Sequence, residues 1–255
     1  MREVDYDNRQ HRAYAQARAL PAETMAAWMR VFERHAPAHR PLAVLDLGSG
    51  TGRFTPALAE TFGGPVVGVE PAERMREVAE QHATHPAVTY LDGAAEVIPL
   101  PDASCDLVLL YLVVHHIRDL TAAAAEVARV LRPGGRVLIR SSFPERMPEL
   151  LWYGFFPGAR LVDEQVFPRM DHIVEVFGAA GLRYVTVEEV QQRIAPSLAD
   201  YAERLRLRGS STFERLTEEE IQEGFAALDA AVAAETRPRP VDEDSDVLVL
   251  ERRPA

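Results

Sequence analysis

The chain of 255 residues contains no lysine, so all 28 of its fixed positive side chains are arginine. Without an ε-amine, Schiff-base chemistry and a phosphate-loop lysine are excluded. The single cysteine, Cys105, cannot close an internal disulfide or build a cysteine-based metal site. That usage fits a reducing cytoplasm, where we expect the chain to work. Cys105 precedes the apolar run Asp106–Leu112 and reads as a buried structural thiol. No apolar run reaches 18 residues, so no membrane span or membrane partner is expected. The polar start of the chain has no apolar core of a signal peptide. A basic patch is also missing: 39 acidic against 28 basic residues leave a net charge of −11, with acidic clusters at Glu218–Glu220 and Asp242–Asp246. This argues against a nucleic-acid partner. His11, His35, His39, His82, His85 and His172 lack the paired spacing of a metal site, and no metal is expected.

A hydrophobic content of 47% is enough for a core, and the length suits one domain over residues 1–255. The most informative stretch is Val44–Phe54, VLDLGSGTGRF. Val44, Leu45 and Leu47 read as a buried parallel strand with Asp46 near its end. Gly48, Ser49, Gly50 and Gly52 then form a loop almost bare of side chains, followed by a helix over Phe54–Phe62. Alternating glycines let a ligand approach the backbone and tolerate φ > 0, and the helix N-terminus behind them offers N–H groups. In a doubly wound sheet, nucleotide-like ligands bind at such a place.

The rest of the chain alternates. Strands are expected at Leu42–Gly48, Pro65–Glu70, Val88–Leu91, Asp106–Tyr111, Arg136–Ser141, Leu182–Val190 and Asp246–Arg252. Helices fall at Ala22–His35, Ala72–His82, Leu120–Leu131 and Asp171–Ala180. The first of the last two stops at Pro133-Gly134-Gly135 and the second at Gly181. The pattern predicts an α/β fold: a doubly wound, mostly parallel seven-stranded sheet with helices on both faces. Residues 1–40 form an N-terminal helical cover. Two long connections, residues 144–170 and 194–239, are expected as lid insertions, with packed ornaments as the alternative. The first is rich in aromatics, among them Trp152, Tyr153 and Phe156, which suit a flat or cationic substrate or an aromatic core. Glu70, 18 residues after Gly52 at the end of strand 2, is placed to accept hydrogen bonds from ribose hydroxyls.

The glycines run G-x-G-x-G, with Arg53 where the dinucleotide fingerprint would place its third glycine. With the segment from Leu91 to Asp119, including Pro99-Leu100-Pro101-Asp102-Ala103-Ser104-Cys105-Asp106, and with Leu131–Gly135, the chain resembles class I S-adenosylmethionine-dependent methyltransferases over roughly residues 40–143. The resemblance implies S-adenosylmethionine as cofactor and a cytoplasmic biosynthetic transferase acting on a small molecule. It implies cofactor contacts from Asp46, the glycine loop, Glu70 and Gly93-Ala94-Ala95-Glu96. The family's adenine-binding aspartate is Ala94 here, so backbone of Ala94 and Ala95, with Asp92 or Glu96, is expected to meet the adenine. Tyr14 and Arg18, with Tyr6, suit a first helix that closes over the methionine end. His115, with His116 beside it, sits where small-molecule O-methyltransferases carry a general base, and Tyr111 ends the same strand. Arg140, inside strand 5, reads as an ion-pair partner.

The chemistry expected is methyl transfer to oxygen, nitrogen or an activated carbon, by a monomer or homodimer. The competing readings are a cofactor-binding protein of the same fold with a non-methylating reaction, and an RNA or protein methyltransferase. The latter lacks an Asn/Asp-Pro-Pro-aromatic tetrad after strand 4. A nucleotide-dependent oxidoreductase fails on Arg53.

Overall fold

The computed structural model describes residues 20–253. Tyr6, Tyr14 and Arg18 lie outside them. Helix α1 (Ala22–His35) follows Pro21, carries Glu23 in its first turn and Arg34 and His35 in its last, and buries Trp28, Met29, Val31 and Phe32. That charge order suits the helix dipole. The chain continues through β1 (Val44–Leu47), α2 (Thr55–Phe62), β2 (Val66–Val69), α3 (Glu73–His82), β3 (Val88–Leu91) and β4 (Cys105–Tyr111). Then come α4 (Leu120–Val130), β5 (Leu131–Ser141), α5 (Pro157–Val166), α6 (Met170–Ala179), β6 (Leu182–Ala195), α7 (Leu198–Arg206), α8 (Glu218–Ala234) and β7 (Val241–Arg252).

The sheet has the order β3-β2-β1-β4-β5-β7-β6. Five strands run parallel, and β7 lies antiparallel between β5 and β6. Every residue of β1 and β4 is buried, as central parallel strands covered on both faces require. On one face Leu45, Leu47, Val108 and Leu110 pack with α4 and α6 through Ala123, Val127, Ile173 and Phe177. On the other, Val44, Leu107 and Leu109 pack with α1 and α2 through Trp28, Phe32, Leu58 and Phe62. The strand order reverses between β1 and β4, which places the glycine loop at the switch point.

Several boundaries differ from the sequence reading. β4 starts at Cys105, one residue early. Pro133-Gly134-Gly135 does not separate α4 from β5 but bulges within β5: the register jumps from Cys105↔Leu131 to Leu107↔Arg136, with Gly134 at φ +79°. β6 runs to Ala195 and β7 begins at Val241, both beyond the expected ends. Their extensions carry Gln192, Arg193, Asp242 and Glu243, polar residues that hide a strand from hydrophobic periodicity. They remain paired because neighbouring elements supply partners: Trp28 Nε1 donates to Gln192 (2.9 Å) and the Tyr201 hydroxyl to Glu243 (2.6 Å).

The first aromatic connection contains an unforeseen helix, α5. It shares a separate apolar cluster with the second connection, in which Trp152, Phe156, Ile194, Tyr201, Phe213 and Ile221 meet. Gly224 on α8 admits the Phe156 ring so closely that a Cβ there would lie 2.3 Å from it. Helix α8 opens with a capping box between Thr217 and Glu220.

Candidate functional site

The loop after β1 is shaped by its backbone. Gly48, Gly50 and Gly52 all have positive φ, at +74°, +55° and +76°. Gly48 N–H donates to Val69 O (2.8 Å), which ties the loop to the end of β2. Ser49 donates its N–H to the same carbonyl (3.2 Å) and accepts from Gly52 N–H (2.9 Å). Its hydroxyl is buried against Gly68, so Ser49 shapes the loop from within rather than facing outward. A Cβ on Gly48 would fall 2.3 Å from Val113 Cγ2, and one on Gly52 would fall 2.3 Å from the Tyr90 hydroxyl. The cradle admits only hydrogen at these two points.

Glu70 stands beside this loop, just past β2. Its carboxylate accepts from Gly50 N–H (3.0 Å) and Ala72 N–H (3.0 Å), so backbone fixes its orientation before any ligand arrives. Arg76 donates to the Glu70 carbonyl (2.8 Å) and to Asp92 (2.9 Å), which occupies one oxygen of the exposed Asp92 carboxylate. Gly93 lets the chain pass close to Pro99 into a tight turn at Ala94–Val97. Ala95 is buried there. Glu96 points away to the next loop, where it accepts from Arg118 N–H (3.0 Å) and Asp119 N–H (3.2 Å).

Asp46, at 3% exposure, accepts a hydrogen bond from the Thr55 hydroxyl (2.7 Å). Burial pushes its carboxyl up to about 6 from 3.8, against the opposing pull of Thr55 and Arg53. The native state therefore holds this proton more tightly than the unfolded chain. Folding loses about 3 kcal/mol from this group as pH rises from about 4 to about 6, and the loss persists above that range. Asp46→Asn should be more stable than the parent at pH 8 by up to about that amount and gain little at pH 4. Urea unfolding of both proteins across this range checks it; parallel pH profiles would refute the role of Asp46.

At the end of β4, Tyr111 packs its ring on Phe54 (centroids 4.2 Å apart) and edge-on to Trp28 (5.4 Å). The Arg53 and Arg140 guanidiniums each lie 5.0 Å from its centroid. Arg140 also lies 5.9 Å from the Trp28 ring. His115 and His116 share a single helical turn, Val114–His116, with ring centroids 4.0 Å apart. His115 is half-buried and packs on Phe167 (4.4 Å), while His116 is exposed.

These residues border a cavity of ≈ 160 Å³. Its floor includes Arg53, Tyr111, Leu112 and Arg140, His115 and His116 form one side, and Trp152 and Phe167 come from the first connection. Arg204, Thr212, Phe213 and Arg215 come from the second. Of the three aromatics singled out from sequence, only Trp152 reaches the cavity. Phe156, 1% exposed, sits in the aromatic cluster behind it. Tyr153 donates to Asp163 (2.8 Å), and burial with that carboxylate drives its phenol far above the ordinary range. Asp163 also accepts from Thr212 (2.6 Å), so one buried carboxylate ties the two connections together. The sequence reading missed Asp163, Gln192, Tyr201, Arg215 and Glu243. Asp163, Tyr201 and Arg215 lie in the connections and Gln192 and Glu243 in the polar ends of β6 and β7, none within a motif, and only tertiary folding brings them together.

Among the described residues, no group of three or more His, Cys, Asp or Glu is placed to hold a metal ion, and no helix is long and apolar enough to cross a membrane.

A glycine loop and an oriented acid stand at the switch point of this seven-stranded sheet, the place where doubly wound folds take nucleotide-like ligands. The family described as "Methyltransferase domain" matches residues 45–139. An uncharacterized methyltransferase of Mycobacterium bovis is 42% identical over 128 residues, 46% of this chain and 51% of that protein. The chain thus spans about half the length of that curated relative. Demethylmenaquinone methyltransferase of Deinococcus radiodurans is 34% identical over 167 residues, 64% of this chain and 66% of that protein. Among solved structures, a phosphoethanolamine N-methyltransferase of Haemonchus contortus in complex with S-adenosyl-L-methionine superposes with a TM-score of 0.62 at 19% identity, covering 98% of this chain and 59% of that one. Residues 45–139 thus match the methyltransferase domain family, and the chain shares the fold of that solved S-adenosyl-L-methionine-bound methyltransferase.

Proposed function

We propose that this chain transfers the methyl group of S-adenosylmethionine to a small-molecule acceptor, at oxygen, nitrogen or an activated carbon. The observation that carries the proposal is a junction: Arg53 directly follows Gly52, Tyr111 packs on Phe54 and Leu112 precedes the Val113 that meets Gly48, and Arg53, Tyr111 and Leu112 also line the cavity beneath the two connections. When bound, the cofactor supplies a methyl carbon activated by a sulfonium. Gly48–Gly52 admit it to the backbone, with Asp46 beneath the loop, and Glu70 takes the ribose hydroxyls. Gly93, Ala94 and Ala95 meet the adenine through backbone, since Asp92 is paired with Arg76 and Glu96 is engaged by the Arg118 and Asp119 amides. Tyr111 borders the methionine end. Residues 144–170 and 194–239 act as lids that exclude water and hold the acceptor in line, with Trp152 against it and Tyr153 and Phe156 supporting the wall. His115, with His116 adjacent, takes the acceptor proton where the acceptor still holds it. A single thiol fits cytoplasmic work.

Glu70→Ala should weaken S-adenosylhomocysteine binding by about 1.5–3 kcal/mol, the scale of charge-assisted hydrogen bonds. Calorimetric titration of the variant reads this, and unchanged affinity would remove Glu70 from the site. Activity is tested with methyl-labelled cofactor against a panel of phenols, amines, acids and enolisable carbons. The expected result is label on an acceptor with one S-adenosylhomocysteine formed per methyl. Acceptor conversion without S-adenosylhomocysteine would assign the site to a non-methylating reaction.

A further inference from the structure

We propose that the acceptor is a small molecule with an oxyanion head, carboxylate or phosphate, and that Arg215 is its anchor. The inference rests on the methyl-transfer reading and adds the acceptor's chemical class. Arg215 closes the short helical turn Ser211–Arg215 in the second connection and lines the cavity. It is half-buried and has no hydrogen-bond or ion-pair partner among the described residues. Holding a guanidinium in a partly enclosed space with no carboxylate paired to it is costly, and a ligand anion that pairs with it removes that cost.

The rest of the wall agrees. Arg140, 9% exposed, faces the same cavity from β5, and Arg53 and Arg204 also line it. The acids there are occupied by hydroxyl donors: Asp163 accepts from Tyr153 and Thr212, and Glu243 from Tyr201. Asp244 is exposed. A planar guanidinium fork matches a carboxylate or phosphate through paired hydrogen bonds. Trp152, Phe167, Phe213 and Ile194 give the cavity an apolar side, so the anion belongs on a compact apolar or aromatic body. Arg53 adjoins the cofactor loop, whereas Arg215 comes from the second connection. Loss of Arg215 should therefore affect the acceptor and spare the cofactor.

The test titrates benzoate, phenyl phosphate and neutral benzamide into the protein saturated with S-adenosylhomocysteine, by calorimetry. At least one anion should bind, and benzamide should bind at least about tenfold more weakly. Arg215→Gln should weaken the anion by about 10- to 100-fold, Arg215→Lys less, with S-adenosylhomocysteine affinity and thermal unfolding unchanged in both. Preference for carboxylate over phosphate, or the reverse, identifies the head group. Equal binding of benzamide, no anion binding, or anion affinity unchanged in Arg215→Gln overturns the proposal. Should S-adenosylhomocysteine fail to bind the parent protein, the cofactor reading falls on its own, and anion titration of the unliganded chain still reads Arg215.

Discussion

Gly48→Ala is expected to destabilise the chain by about 2–4 kcal/mol and to impair cofactor binding, while Gly63→Ala costs only about 1 kcal/mol. Both glycines have positive φ, +74° and +68°, so each substitution pays the same backbone penalty of about 1 kcal/mol. They differ in what surrounds them. Nothing lies within 4 Å of a Cβ on Gly63, whereas one on Gly48 would meet Val113 Cγ2 at 2.3 Å and Val113 Cβ at 2.9 Å. Overpacking of that kind adds about 1–3 kcal/mol. Val113 directly precedes the Val114–His116 turn, so relief of the clash by backbone shift would also displace His115. Adding Val113→Ala to Gly48→Ala should recover the packing part and leave the backbone part. Urea unfolding of the four proteins measures each term. Equal losses in Gly48→Ala and Gly63→Ala would show that the loop is not built around close approach.

His115→Ala is expected to lower kcat by about 10²–10⁴ on an acceptor hydroxyl of pKa ~10, the range for loss of a general base. S-adenosylhomocysteine affinity should stay nearly unchanged, because His115 lines the cavity under the two connections and not the glycine loop. Its ring is set between Phe167 and His116, at 4.4 and 4.0 Å, which restricts its rotation at the cavity wall. His116→Ala separates a base from a packing partner: it removes the neighbouring ring and leaves His115 in place. Steady-state kinetics at saturating cofactor read both variants. Full activity in each would mean that no histidine takes the proton. Rate would then come from alignment alone, which favours an acceptor already deprotonated at working pH.

The glycine-loop half of the candidate site was legible in sequence because its determinants are local. Alternating glycines, a strand of buried apolar residues before them and an acid at the next strand end are all read from short runs, and the fold places Gly48–Gly52 and Glu70 together. Ser49 and Glu96 show the limit of that reading: both stand where a contact is expected, yet one hydroxyl is buried under β2 and one carboxylate is engaged by backbone amides. The cavity half was scarcely legible. Asp163, Tyr201, Thr212 and Glu243 are far apart in the chain; the Thr212–Asp163 bond exists only once the two connections pack on each other, and the Tyr201–Glu243 bond only once the second packs on β7. The same packing keeps the polar ends of β6 and β7 in strand conformation, which hydrophobic alternation alone could not show. Tyr153 and Phe156 were chosen as aromatics in an aromatic-rich segment; the pattern does not tell which ring faces a cavity and which faces a core.

The most direct test of the account is calorimetric titration of the purified chain with S-adenosylhomocysteine and, separately, with NADH. The account predicts saturable one-to-one binding of S-adenosylhomocysteine and none of NADH, since Arg53 stands where a dinucleotide loop would need its third glycine. Binding of NADH with no response to S-adenosylhomocysteine would contradict it.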